Sequence, residues 1–169
     1  MSVEPAETGF VYAEFMQDQL TAEEARKASL EQRGLAVITS SGVLATLGFG
    51  SLALFKQRDV VPMPAAGAYL LVGSAVALLA AAVLALVTNL PLRHRAINPP
   101  GMAQSMREHW ADVEPTARAR VTSTRARLLA STRVGNDLKA VFLLAAMTVE
   151  VLGLALLAAT ICVVAIGSR

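Results

Sequence analysis

The segment "AVFLLAAMTVEVLGLALLAATICVV" at residues 140–164 decides the fold, because its only charged residue is Glu150. A helix needs about 20 mainly apolar residues to cross the hydrocarbon core of a bilayer. The segment is long enough, and so are two stretches without any charge, at residues 34–55 and 60–92. The sequence therefore predicts three transmembrane helices.

The composition agrees with a membrane protein. The chain has 169 residues, of which 54% are hydrophobic and only 5% aromatic, and its mean hydropathy is +0.52, well above that of ordinary soluble domains. Its single cysteine, Cys162, excludes a disulfide framework within the chain. The first 31 residues hold seven carboxylates, unlike the basic start of a cleaved signal peptide, so we predict a retained N-terminus.

The positions of lysine and arginine predict the orientation, because basic residues near spans stay on the cytoplasmic side. Twelve of the 15 lie before the first span or between the second and third, and three lie on the opposite side. We therefore expect a multi-pass plasma-membrane protein with a cytoplasmic N-terminus and an external C-terminus. The expected segments are a cytoplasmic N-terminal helix (1–33), transmembrane helices at 34–55, 66–92 and 141–167, an external turn (56–65) and a cytoplasmic basic helical segment (93–140).

Both cytoplasmic segments carry narrow apolar faces. The first contains Phe10, Tyr12, Phe15, Met16 and Leu20 at helical spacing, and it predicts a helix that enters the first span. Thr21 with Glu24 has the spacing of a capping box, so a helix start at Thr21 is the alternative. In the second segment we expect a short helix from Ser105, then a helix from Pro115 into the third span. Its small residues repeat at alternating steps of four and three, at Ala117, Val121, Thr124, Leu128, Ser131, Gly135 and Leu138.

These two seams predict a cytoplasmic helical hairpin, formed by the N-terminal helix and the helix before the third span. The predicted fold class is thus an all-α membrane protein with three transmembrane helices and this hairpin. Charge supports the pairing, since residues 1–33 hold three basic and seven acidic groups, and residues 93–139 hold nine basic and four acidic groups. The alternatives are two separately solvated helices, or arginines held at the anionic inner leaflet at about 1 kcal/mol each. The candidate basic face consists of Arg118, Arg120, Arg125 and Arg127.

Glu150 is the candidate intramembrane site. If the third span begins at Val141, Glu150 lies about 14 Å into the membrane, where an ionised carboxylate is costly and should face protein or water. Ser40, Ser41 and Thr46 of the first span lie at a similar depth, so the predicted polar site contains Glu150, Ser41 and Thr46. Three alternatives stay open: Glu150 lies at the inner interface, it joins subunits, or it lines a water path or gate.

Small residues at packing distance also occur within the spans, such as Gly73, Ala77 and Ala81. Such patterns mark helix contacts within or between chains. Because three thin helices bury little surface alone, we expect a homo-oligomer.

Catalytic motifs are absent from the sequence. His94 and His109 lack the spacing of metal ligands, and there is no serine-nucleophile elbow, phosphate-binding loop or dinucleotide fingerprint. We therefore predict that the protein is not an enzyme, needs no cofactor or metal and binds no nucleic acid. Trp110 is expected to pack between the cytoplasmic helices, with anchoring at the membrane interface as the alternative.

Three stretches carry a resemblance to a known group. "EEARKASLEQRGLAVITSSGVLATLGFG" (23–50), "TNLP" (88–91) and "RVGNDLKAVFLLAAMTVEVLGL" (133–154) resemble small actinobacterial integral membrane proteins, some of which are labelled plasmid transfer proteins. The layout is also similar to the transmembrane effectors of Pycsar antiphage systems, in which a cyclic pyrimidine nucleotide triggers membrane damage. No catalytic or ligand residue follows from this resemblance.

The resemblance implies a non-enzymatic, oligomeric inner-membrane protein. In that role it would be a gated pore or membrane-disrupting effector in antiviral defence, controlled through its cytoplasmic helices. Its candidate partners are the lipid bilayer, other copies of the chain, and a cyclic nucleotide or a cytoplasmic protein. The alternative is a membrane anchor or assembly subunit that docks a cytoplasmic partner, for example in plasmid transfer.

Overall fold

The chain is entirely helical in the part that the structure describes. A computed structural model describes the backbone of residues 5–57, 64–90 and 99–167. It contains α1 (Pro5–Gln57), α2 (Ala65–Asn89), α3 (Pro99–Glu108) and α4 (Glu114–Gly167), and these ranges contain no strand. The all-α prediction is confirmed for these ranges.

Three of the helices are long and apolar enough to cross a membrane. They are the parts of α1, α2 and α4 at Gly9–Gly50, Ala65–Asn89 and Glu114–Ile166. Within the most apolar window of each, only 17%, 22% and 11% of the residues are buried in the protein. So much uncovered apolar surface is what a bilayer-embedded chain presents to lipid, and the prediction of a multi-pass membrane protein is confirmed at this level.

Both predicted continuous helices are confirmed, whereas the alternative start at Thr21 and the predicted start at Ser105 are wrong. α1 runs through Thr21, whose hydroxyl donates to the Gln17 carbonyl oxygen within the helix at 3.1 Å instead of capping a new one. α3 begins at Pro99, before Ser105, because proline is tolerated in the first turn, where amides lack helical partners anyway. α4 continues from Glu114 into the third apolar stretch without a break.

The described residues form two compact units. The charged unit comprises those within Met1–Ser29 and Pro91–Leu138, and the apolar unit comprises those within Leu30–Leu90 and Lys139–Arg169. Both α1 and α4 supply residues to both units.

In the charged unit, α1 and α4 pack side by side and run in the same direction. The contacts advance together along both helices: Arg125 donates to the Ala13 carbonyl oxygen, Arg133 to Gln19, and Arg26 to Asp137. The predicted hairpin is therefore corrected to a parallel pair. The physical reason lies in the chain, since each segment leads towards an apolar stretch at its C-terminal end.

The predicted small-residue seam of α4 is buried at only one of its seven positions, Gly135. The other buried positions among the described residues of α4 are Leu129, Asn136, Lys139, Leu143, Ala146, Gly153 and Thr160. The spacing of three and four is retained, but the register is shifted by one residue because the contact buries the polar Asn136 and Lys139. Four of the seven predicted seam residues, Ala117, Val121, Thr124 and Leu128, line a groove beside α3.

The apolar unit differs from a soluble domain in exposing many aliphatic side chains and burying hydroxyl groups. Its small core contains Leu30, Val37, Ala85, Leu143 and Ala146. Hydroxyl side chains are buried with it, at Ser41, Ser74, Thr88 and Thr160, whereas leucine, valine and isoleucine cover much of the outside. This arrangement is expected where the surrounding solvent is hydrocarbon, because buried helix contacts then use small and hydroxyl residues.

Small residues set the closest helix approaches in the apolar unit. A Cβ placed on Gly34 of α1 would lie 2.1 Å from Thr88 Oγ1 of α2, and one on Gly153 of α4 would lie 3.1 Å from Leu78 side-chain carbons of α2. Gly42 and Gly50 on α1 differ, since nothing lies within 4 Å of a Cβ placed there.

Candidate functional site

Glu150 is held by hydroxyl groups of the neighbouring helix. One of its carboxylate oxygens, Oε1, accepts hydrogen bonds from Ser40 Oγ and, at 3.2 Å, from Ser41 Oγ. Ser41 is buried, and Ser40 and Glu150 are half-buried. The structure thus brings Glu150 and Ser41 together, as the sequence placed them at similar depth. Two hydroxyl donors give the carboxylate partial compensation for lost water.

Thr46, the third residue of the predicted polar site, lies outside this cluster. It is exposed, and its hydroxyl donates to the Gly42 carbonyl oxygen of its own helix at 2.9 Å. Thr46 therefore satisfies itself locally, which is common for threonine in a membrane helix.

The second span also contributes a polar contact, which the sequence reasoning missed. Ser74 of α2 is buried, and its hydroxyl donates to the Gly153 carbonyl oxygen of α4 at 2.9 Å. Gly153 follows Glu150 by one helical turn. Ser74 lies one residue before the wholly apolar run 75–87. Its helical spacing of four and seven from Leu78 and Ala81, which are also buried, was the signal that could have found it. Together α1, α2 and α4 supply the polar site of the apolar unit: Ser40, Ser41, Ser74, Glu150 and the Gly153 carbonyl.

A second polar cluster lies in the charged unit and was also missed. Asn136 is fully buried, and its Nδ2 donates to the backbone oxygen and to the Oε2 of Glu23, both at 2.9 Å. Arg133 Nε donates to Glu23 Oε1 at 3.1 Å. The amide orientation of Asn136 is fixed by two acceptors, and its Oδ1 is left buried without a partner among the described residues.

The electrostatics of this cluster favour the ionised form of Glu23, which precedes the predicted span at 34–55. The Asn136 hydrogen bond lowers the pKa of Glu23 below its ordinary value of 4.5; burial opposes this, and Arg133 and Arg26 add to the lowering. A charged acceptor strengthens the hydrogen bonds that hold α1 to α4.

One ion pair marks the start of the apolar unit. Lys139 Nζ lies 2.5 Å from Glu31 Oε1, and the lysine is only 1% exposed. A buried lysine is tolerated only when it is paired. Polar contacts between α1 and α4 therefore occur in both units.

The four arginines of the predicted basic face do not form one surface. Arg118 stacks over the Phe10 ring at 4.0 Å and pairs with Glu114. Arg120 pairs with Asp112 at 3.2 Å, and Arg125 is half-buried and donates to the Ala13 carbonyl oxygen. Arg127 is exposed. The side chains of Arg118 and Arg125 thus contact α1, whereas Arg120 and Arg125 line the groove beside α3.

That groove lies between α3, the turn at 109–113 and the first turns of α4. Its volume is about 650 Å³. Trp110 lines it and is 79% exposed, so the prediction that Trp110 packs between the helices is wrong.

His109 Nδ1 lies 3.6 Å from Asp112 Oδ2. Among the described residues, no group of three His, Cys, Asp or Glu side chains is placed to hold a metal ion.

No protein family, curated protein or solved structure matches the chain. The polar contacts and the groove therefore carry the functional argument. The polar contacts place a carboxyl group among hydroxyl groups, and the groove offers apolar and charged side chains on one surface.

Proposed function

We propose that the chain is a non-enzymatic inner-membrane protein in which the pairing of α1 with α4 controls an oligomeric, gated pore. The observation that carries the proposal is that polar contacts join these two helices both at Glu23 and Asn136 and at Ser40, Ser41 and Glu150. In this proposal the charged unit is cytoplasmic, the N-terminus is inside and the C-terminus is outside, as the excess of basic residues favours.

The gating step is a change in the pairing within the charged unit. A ligand or partner that binds one arrangement better than the other shifts the equilibrium between them. Because the same two helices carry the carboxylate and hydroxyls of the intramembrane site, the change is transmitted to Glu150. Phosphate groups of a cyclic nucleotide are one class of trigger, since arginine binds them strongly.

A pore requires several copies of a chain with three spans. Most of each apolar window is uncovered in one chain, which supports such assembly. Gly42 and Gly50 leave an uncrowded strip on α1. Small residues of this kind permit close approach of a neighbouring helix.

The test is ion flux across liposomes that contain the purified protein, with and without cyclic pyrimidine nucleotides. We expect nucleotide-dependent cation flux from the wild type and lower flux from Glu150→Gln. Thr148→Val is the matched control, because Thr148 is exposed and, among the described residues, donates to the Leu144 carbonyl oxygen of its own helix. Silence of the wild type under every nucleotide would exclude this gated pore.

A membrane anchor that docks a cytoplasmic protein is the second candidate. The observation that favours it is the exposed groove with Trp110 in the charged unit. Such an anchor binds its partner without conducting ions, so the flux assay separates the two functions.

A further inference from the structure

The groove beside α3 is lined by apolar side chains, called here its floor, and by the charged side chains of Arg120, Arg125 and Asp112, called here its rim. Met106, Trp110 and Val121 line it, and each is at least half exposed. Arg120 and Arg125 lie along the same groove. An apolar patch of this kind, rimmed by charge, is characteristic of an interaction surface.

The α4 side of the groove is a regular helical stripe. Ala117, Val121, Thr124 and Leu128 follow each other at steps of four and three. Among the described residues, Val121 and Thr124 of this stripe are exposed and Ala117 and Leu128 are half-buried. From Ala117 to Leu128 it extends for about 16 Å at 1.5 Å per residue, which is three turns of helix. A groove of that length accepts the apolar face of one short helix.

Charge identifies the class of occupant. Arg120 gives one contact to Asp112 and Arg125 gives one to the Ala13 carbonyl oxygen, whereas a guanidinium has five N–H donors. Both side chains therefore keep donors for carboxylates. Residues 93–139 hold nine basic and four acidic groups, so the surroundings favour a negative partner.

We infer that this groove binds an acidic amphipathic helix of a partner protein, with apolar side chains on the Trp110 floor and carboxylates on Arg120 and Arg125. A recessed groove between two helical segments fits a rod-shaped ligand better than a planar leaflet. The inference rests on the proposed function, in which the charged unit is cytoplasmic and responds to a partner. It names the class of that partner.

The experiment selects binders from a displayed library of 16-residue helical peptides, using the full chain in phosphatidylcholine nanodiscs. Peptides that also bind Val121→Asp are removed by counter-selection. Trp110 is the only tryptophan, so its emission reports directly on the groove. We expect enriched peptides to be acidic, to carry apolar residues at steps of three and four, and to shift Trp110 emission to the blue.

Two charge reversals on α4 supply a matched pair. Arg120→Glu removes a rim residue, and Arg127→Glu makes the same change at an exposed position that does not line the groove. We expect Arg120→Glu to weaken binding of the selected peptides several-fold, and by about tenfold when combined with Arg125→Glu. Arg127→Glu should bind like the wild type.

Three results would overturn the inference. They are enrichment of basic or unpatterned peptides, equal weakening by Arg120→Glu and Arg127→Glu, and a Trp110 shift caused by phosphatidylglycerol nanodiscs alone, which would assign the surface to the membrane. Both faces of a nanodisc are open to peptide, so the peptide-binding result depends neither on the orientation of the chain nor on ion flux. Failure of the inference is thus distinguishable from failure of the proposed function.

Discussion

Glu23 illustrates how one carboxylate can fix the pairing of two helices. Its side chain accepts hydrogen bonds from Asn136 and Arg133 of α4, and its backbone oxygen accepts a second one from Asn136. A buried asparagine in a parallel helix pair specifies the register at a cost in stability. The unpartnered Oδ1 of Asn136 is such a cost.

Glu23→Gln should therefore destabilise the charged unit by about 1.5 to 3 kcal/mol, the usual contribution of a hydrogen bond to a charged group. The substitution removes the charge that Arg133 and Asn136 pair with. The measurement is thermal unfolding of the detergent-solubilised chain. Glu24→Gln is the control, since Glu24 is exposed and its loss should change the unfolding free energy by no more than about 0.5 kcal/mol. Equal effects of the two would contradict the role given to Glu23.

The same carboxylate predicts a dependence on pH. Its pKa in the folded chain is below 4.5, chiefly through Asn136, so ionised Glu23 stabilises the fold at pH values above its unfolded pKa. That contribution is lost as the pH falls below about 4.5 and through the folded pKa. The difference in unfolding temperature between the wild type and Glu23→Gln should be constant from pH 5 to 7 and shrink towards pH 3. A difference that grows on acidification would contradict the assignment.

Sequence reasoning found Glu150 and missed Glu23 for physical reasons. Glu150 is the only charge in a long apolar segment, so its environment follows from composition alone. Glu23 is one of seven carboxylates near the N-terminus, and which of them faces inward depends on the register of α1 against α4. Asn136 was missed because the seam was chosen by apolarity, whereas the contact buries a polar residue.

At the scale of the helices, Gly34 sets the approach of α1 to α2. A Cβ at this position would meet Thr88 Oγ1 at 2.1 Å, Asn89 Nδ2 at 3.1 Å and the Ala85 backbone oxygen at 3.3 Å. Thr88 is fully buried and donates to the Ala85 carbonyl oxygen. The hydroxyl therefore has no room to retreat without losing that bond.

Gly34→Ala should destabilise the apolar unit by about 1 to 3 kcal/mol through overpacking, although alanine is the better helix former by about 1 kcal/mol. Gly42→Ala is the matched control on the same helix, since nothing lies within 4 Å of its Cβ position. That variant should be as stable as the wild type or up to about 1 kcal/mol more stable. Unfolding in mixed detergent micelles measures both. Stabilisation by Gly34→Ala would show that α1 and α2 do not approach there.

The helices themselves were largely predictable, because long apolar stretches dictate helix in a bilayer, where backbone groups must bond internally. Their starts were less so. Capping-box spacing predicted a helix start at Ser105 and offered one at Thr21 as the alternative, but α3 and α1 run through these positions. A local cap signal is overridden where the helix continues on both sides. The parallel direction of the α1–α4 pairing was not predicted either, because it depends on both helices leading into apolar stretches at their C-terminal ends.

The whole molecule combines a charged unit with an apolar unit that exposes its aliphatic residues. With only 17%, 22% and 11% of the three apolar windows buried, the apolar unit is suited to hydrocarbon surroundings. The proposed orientation in the membrane rests on charge, which is a property of the entire chain.

We expect an alkaline phosphatase fused after Arg169 to be active, since that enzyme folds only outside the cytosol. In a Cys162→Ser background, a cysteine at the exposed Ser123 should escape impermeant maleimide in intact cells and react in inverted vesicles. A fluorescent protein fused after Arg169 that glows in the cytosol would reverse the assigned orientation. It would also place the charged unit and its groove outside the cell.

The parallel contacts between α1 and α4 also determine how the chain is made. Partners across this pairing are between 108 and 114 residues apart. At about 5 to 20 residues per second of synthesis, the acidic N-terminal segment leaves the ribosome roughly 5 to 20 seconds before its basic partner exists. During that interval Glu23 lacks Arg133 and Asn136, which bind its carboxylate in the folded chain, so the N-terminal segment emerges without the contacts that hold it to α4.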